Sequence, residues 1–208
     1  MWRYVHAADY RGALAVCERG LKTWPQDFRI QSAYAAILGD YAEQLPPRRR
    51  RTIKRRCVRL FLGLVHRLRG VDATEAFRAR NEYYYHSGQF KKQYMLGREG
   101  IARGIARAIY SQGVGAAWHA RRLAEARRPG QARLWARRSV KAWEAFFRTD
   151  PEYYNAYVHY ALALGLLNRP EEMERALRRA GKLSGRPASF WEFKEIREIV
   201  HRLRLPSS

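Results

Sequence analysis

The 208-residue sequence holds only two cysteines and seven lysines, and it is short of acid, with 19 Asp and Glu against 41 Lys and Arg. Cys17 and Cys57 each sit in an apolar helical pattern with no second Cys or His at ligand spacing. That excludes a disulfide framework or a thiolate metal cluster and predicts two buried, reduced thiols. Long apolar runs are missing as well. The longest, 60–65 and 160–167, fall far short of the ~20 residues a spanning helix needs, so no membrane span is expected. With no signal-peptide core either, the expected location is cytoplasmic. Catalytic signatures are also lacking: there is no GxxxxGK[ST] loop, no GxGxxG after a strand and no GxSxG elbow. His6, His66, His86, His119, His159 and His201 are scattered without metal spacing, and the Glu171–Glu172 pair is explained by a helix start. The expectation is a non-enzymatic chain with neither cofactor nor metal.

What the sequence has in abundance is positive charge and helical periodicity. The formal net charge is +22, almost all of it arginine. Such a field attracts polyanions and acidic protein surfaces and speeds encounter without fixing a fold. Arginine suits bidentate pairing with phosphate or carboxylate, although a GC-rich genome would give the same bias.

Apolar residues recur at helical spacing almost throughout and no strand pattern competes, which makes the class all-α. The pattern predicts about ten helices, at 10–23, 27–45, 48–69, 72–87, 89–102, 105–128, 131–148, 151–167, 169–182 and 188–204. Four starts carry cap chemistry. Asp72, Asn168 and Ser189 each precede a Glu by three residues, and Asp150 is followed by Pro151 at the expected first helical position. Between 97 and 115, five glycines either permit close helix crossing or break the helix, and sequence leaves both readings open. Short connections make consecutive helices antiparallel neighbours.

The spacing of large and small residues resembles the tetratricopeptide repeat, a helical hairpin of about 34 residues in which a small side chain lets paired helices approach. The best unit is Tyr157-x2-Tyr160-Ala161-x2-Leu164 followed by Met173-x3-Leu177 and Ala180, after Pro151. Partial units begin at Tyr34-Ala35-x2-Leu38 and Phe77-x2-Arg80-Asn81-x2-Tyr84, and Ser139-x3-Trp143 with Phe146 completes another. Asp9-Tyr10, Ala13-x3-Cys17, Gly20 and Pro25 look like the second half of a first repeat that is cut short. Repeat length is irregular, and helix 48–69 is long for the family. The resemblance implies a right-handed solenoid of helical hairpins over 1–208 as a single repeat domain, with 188–204 as a C-terminal capping helix. It also implies a protein-protein interaction scaffold whose partner is a protein or peptide.

In that family the first helices line a concave groove, and the inward positions fall here on Glu75, Arg78, Glu82 and Tyr85 and on Asn155, Val158, Leu162 and Gly165. The groove expected is mixed, with apolar anchors suited to an amphipathic peptide. The family's carboxylate clamp is not supplied, since Glu82 and His159 stand where asparagines would be expected. A second candidate is the cationic block Arg48, Arg49, Arg50, Arg51, Lys54, Arg55, Arg56 and Arg59, directly after Pro46-Pro47. On a helix, Ile53, Cys57, Leu60, Phe61, Leu64, Val65 and Leu68 form one face and leave most of these charges on the other. Arg137, Arg138 and Lys141 form a further cluster, as do Arg121-Arg122, Arg127-Arg128 and Arg175 to Lys182. These faces suit an acidic partner or, alternatively, nucleic acid through phosphate contacts, with Trp135 or Tyr83 to Tyr85 as stacking platforms. A solvated face without function has the same sequence. Changing Arg49, Arg50, Arg55 and Arg56 to Ser is expected to spare the fold.

Overall fold

Three aspartates set the beginning of the chain's order. Asp9 accepts a hydrogen bond from the Gly12 amide at 2.9 Å, Asp27 from Arg29 and Ile30, and Asp72 from Thr74 and Glu75. Each carboxylate satisfies amides that have no carbonyl partner in the first turn of a helix. The helices they start are α1 (Tyr10–Thr23), α2 (Phe28–Glu43) and α4 (Ala73–His86). Between the last two lies α3 (Pro47–Leu68), which begins with Pro47, whose missing N–H costs nothing at that position. The computed structural model describes residues 9–187 and 190–203. It is all-α, with ten helices and no strand among the described residues. The single domain expected of 1–208 divides into two compact units, 1–89 and 90–208.

In residues 1–89, α1 packs on α2, α2 on α3 and α3 on α4, joined by loops of three or four residues. Their common core contains Cys17, Tyr34, Leu38, Cys57, Phe61 and Leu64. The spacing of Cys57, Phe61, Leu64 and Leu68 is the three-and-four rhythm of one helix face, and all four are buried. Both thiols are buried, as expected.

Residues 90–208 contain α5 (Phe90–Ala102), α6 (Ala108–Glu125), α7 (Pro129–Phe146), α8 (Tyr154–Leu166), α9 (Pro170–Ser184) and α10 (Trp191–Arg202). Neighbours pack in order from α5 to α9, α6 also touches α8, and α8 also touches α10. Both readings of the glycine-rich stretch hold, at different residues. A Cβ on Gly97 would lie 2.5 Å from the Gln112 amide nitrogen, and one on Gly115 2.5 Å from that of Tyr94, so the two glycines let the α5 and α6 backbones touch. Gly104, at φ +68°, belongs instead to the break between these helices. Alanine continues the close packing: Ala116, Ala117, Ala120, Ala132, Ala136 and Ala161 are all fully buried.

Two expected helix starts fall elsewhere. Asp150 does not cap; its carboxylate takes the Arg107 guanidinium at 2.8 Å, Pro151 lies in a turn, and α8 begins at Tyr154. Asn168 is the left-handed residue (φ 59°) that ends α8, with its amide on Gly165 O, and the cap position of α9 is Arg169. The reach-back at this terminus runs between Arg169 and Glu172, at 2.6 and 2.5 Å, and not through Glu171. Ser189 lies outside the described residues, and α10 begins after Phe190. That helix buries Phe193, Ile196 and Ile199 in the core it shares with α8. Bidentate hydrogen bonds from Arg197 to Glu174, at 2.7 and 2.8 Å, join it to α9.

Candidate functional site

The cationic block separates into two groups once α3 is in place. Arg50 is structural. Its guanidinium donates to Glu43 O at 2.8 Å and to Leu45 O at 3.3 Å, two carbonyls at the end of α2, and lies 3.7 Å from the Glu43 carboxylate. Lys54 pairs with the same carboxylate. Arg56 stacks over the Tyr34 ring at 5.4 Å, and the Tyr34 hydroxyl donates to Glu18 at 3.1 Å. Burial pushes the Tyr34 phenol up, with the Arg56 charge opposing. Arg50 and Arg56 thus link α3 to α2, contacts that an exposed-face reading of the block does not include.

Arg48, Arg49, Arg51, Arg55 and Arg59 are exposed, and their side chains have no acidic or hydrogen-bonding partner among the described residues. Arg48, Arg51, Arg55 and Arg59 follow one another at three, four and four residues, so they form a single ridge opposite Cys57, Phe61 and Leu64. At 1.5 Å per residue the ridge is about 16 Å long. Arg49 stands to one side of it. Four like charges on one helix face repel, so the ridge opposes the folding of its own helix.

The other candidates fare differently. Arg137, Arg138 and Lys141 are exposed on α7, with Arg138 over the Trp135 ring at 4.7 Å. Trp135 itself is buried, edge-on to Tyr94 and His119, and offers no free stacking face. Tyr83, Tyr84 and Tyr85 are half-buried.

Within residues 1–89 the groove positions are engaged with one another or their neighbours. Arg78 donates to Glu75 at 2.6 Å, Glu82 accepts from the Asn81 amide at 3.0 Å, and Tyr85 packs edge-on to His86. Burial raises the Glu82 carboxyl above its usual range. In residues 90–208, Val158 and Leu162 are 1% and 0% exposed, and a Cβ on Gly165 would lie 2.3 Å from Val200. The accessible apolar anchors expected there are corrected: both side chains lie in the core to which α10 contributes Phe193, Ile196 and Ile199. Asn155 is half-buried and its Oδ1 has no partner among the described residues.

Two of the six scattered histidines have buried side chains. His86 stacks on Phe61 at 5.5 Å, 3.6 Å from Glu82, and burial with the charge of Lys54 lowers its pKa to about 4. His159 accepts a hydrogen bond from Trp118 Nε1 at 3.2 Å and stacks on Trp143; burial lowers it to about 4 as well. Neither presents an imidazole to a ligand. The Cys57 thiol, fully buried, is pushed up to about 12 by burial, the reverse of an activated nucleophile. Among the described residues no group of three or more His, Cys, Asp and Glu is placed to hold a metal ion. No described helix is long and apolar enough to cross a membrane.

Comparison with known protein families, with curated proteins and with solved structures finds no match for this chain.

Proposed function

We propose that this chain is a non-enzymatic docking protein of tetratricopeptide-like helix pairs, a scaffold that recruits an acidic protein or peptide partner on the arginine ridge of α3. The observation that carries the reading is the division of charge on that helix. Arg50 and Lys54 are met by Glu43, while Arg48, Arg51, Arg55 and Arg59 are aligned, exposed and met by no acid among the described residues. Such an arrangement gives its own unit nothing in stability, and it complements a row of carboxylates on another surface. Arginine's planar fork pairs with carboxylate in two parallel hydrogen bonds. The contacts of α6 with α8 and of α8 with α10, with fully buried Ala161 on α8, support the repeat-like reading of residues 90–208.

A nucleic-acid partner is the second reading, favoured by the same unpaired arginines. It is weaker because, of the candidate stacking rings, Trp135 is buried and Tyr83, Tyr84 and Tyr85 are half-buried. Anisotropy titrations of a labelled polyglutamate peptide and of single-stranded and duplex oligonucleotides, each at two salt concentrations, separate the two. The docking reading expects the peptide to bind and to persist at the higher salt better than either oligonucleotide. Binding of oligonucleotides alone would transfer the ridge to the second reading, and no binding of any polyanion at low salt would remove both.

A further inference from the structure

At one end of the unit 1–89, two turns come together: 24–27, between α1 and α2, and 69–72, between α3 and α4. Arg67, near the end of α3, joins them by donating to Gln26 at 3.2 Å and to Gln31, whose own side chain donates to Pro25 O. Near this end lie the exposed large apolar side chains of the described residues of this unit. Trp24 is 62% and Val71 77% exposed, and Leu62, less than two turns before the end of α3, is 38% exposed. Val71 is held outward by a tight turn in which its amide bonds Leu68 O and Gly70 takes φ +79°. Cations flank both turns in the chain: Lys22 and Arg29 on either side of 24–27, and Arg67 and Arg69 at the start of 69–72, all exposed. The two acids of the turns, Asp27 and Asp72, direct their carboxylates inward onto helix amides.

From this juxtaposition we infer that the 24–27 and 69–72 turns form a contact site for an anionic lipid surface. Trp24 and Val71 enter the headgroup boundary, and Lys22, Arg29, Arg67 and Arg69 meet the lipid charge. An indole is suited to that boundary because it joins an apolar body to a polar N–H. An aliphatic side chain gains from hydrocarbon but offers a nucleic-acid base no stacking face, so Val71 and Leu62 favour lipid over a single strand. The site uses none of the ridge arginines and stands or falls separately from the docking of an acidic partner.

The test is cosedimentation of the full chain with phosphatidylcholine vesicles, with and without phosphatidylserine. The variants are Trp24→Ser with Val71→Ser, and separately Arg48, Arg51, Arg55 and Arg59→Gln. The wild-type chain is expected to pellet with the phosphatidylserine vesicles, and the double Ser variant to lose at least about tenfold in affinity with its circular dichroism and melting unchanged. Brominated lipid should quench tryptophan fluorescence in the wild type and not in Trp24→Ser. The inference is overturned if the wild type stays in the supernatant, or if the double Ser variant binds as the wild type does while the Gln variant does not. Loss of oligonucleotide binding in place of vesicle binding overturns it as well.

Discussion

Replacing Arg48, Arg51, Arg55 and Arg59 by Gln should weaken acidic-peptide binding and at the same time make residues 1–89 more stable. Glutamine has nearly the helix propensity of arginine, so the change removes charge with little change in backbone preference. The successive pairs Arg48/Arg51, Arg51/Arg55 and Arg55/Arg59 each relieve a repulsion of about 0.3 kcal/mol, which sums to about 1 kcal/mol, or about 4–8 °C in the melting of a unit this size. For binding, an exposed ion pair contributes about 0.5 kcal/mol. Four of them lost amount to about 2 kcal/mol and about a thirtyfold weaker complex, with a shallower dependence on salt. Arg50→Gln is the internal contrast. It removes two hydrogen bonds to the end of α2 and the contact with Glu43, and should lower stability by about 1 kcal/mol. Thermal melts followed by circular dichroism, paired with anisotropy titrations of polyglutamate, read both quantities. A Gln variant that melts lower than wild type, or binds the peptide as well, refutes the assignment of these four side chains to a free ridge.

Three further outcomes follow from the packing and from two buried titratable groups, His159 and Glu192. His159, with its pKa near 4 in the fold and near 6.5 unfolded, contributes stability that is complete above pH 6.5 and is lost as pH falls toward 4. The loss is about 3 kcal/mol. Denaturant titrations between pH 7 and 4.5 should show a decline that His159→Gln reduces, the remainder including His86, and equal slopes for the two proteins would contradict it. Glu192, raised to about 7 by burial, has the opposite sign: its contribution is present below about pH 4.5 and lost as pH rises to 7. Arg186, 3.6 Å away, opposes the shift, so the Glu192→Gln variant is judged by its pH slope: the decline between pH 4.5 and 7 should be smaller than in wild type, and an equal slope argues against the shift. Gly115→Ala forces a methyl against the Tyr94 backbone and Ala161→Trp overfills a fully buried position; each should cost about 2 kcal/mol or more in melting experiments, and a neutral effect would show the crossings to be looser than described.

The helices were legible because their causes are local. The run Cys57, Phe61, Leu64, Leu68 announces one buried face of α3, and Asp72 before Glu75 announces the start of α4. Local chemistry misled where a side chain had a distant alternative. Asp150 looks like a cap until Arg107, more than forty residues earlier in sequence, takes its carboxylate. Asn168 satisfies the pattern for a helix start, yet its tolerance of positive φ lets it close the preceding helix.

The candidate sites depended even more on what lies beyond the helix. Periodicity put the arginine block on the solvent side of α3, but only the end of α2 distinguishes Arg50 and Lys54 from Arg51 and Arg55. Val158 and Leu162 occupy positions that a repeat pattern would leave facing a ligand. The apolar face of 188–204 predicts a capping helix, but not that Phe193, Ile196 and Ile199 share one core with Val158 and Leu162. Trp24 and Val71 carried no pattern at all, since exposure at a turn is a property of the folded ends.

The most direct measurement of the central proposal is an amide-resolved NMR titration of the labelled chain with an acidic peptide. Shifts should concentrate on Arg48, Arg51, Arg55 and Arg59 and their immediate neighbours, with the Val158 and Leu162 amides unmoved. Shifts that cluster on other helices while the ridge stays silent would contradict it.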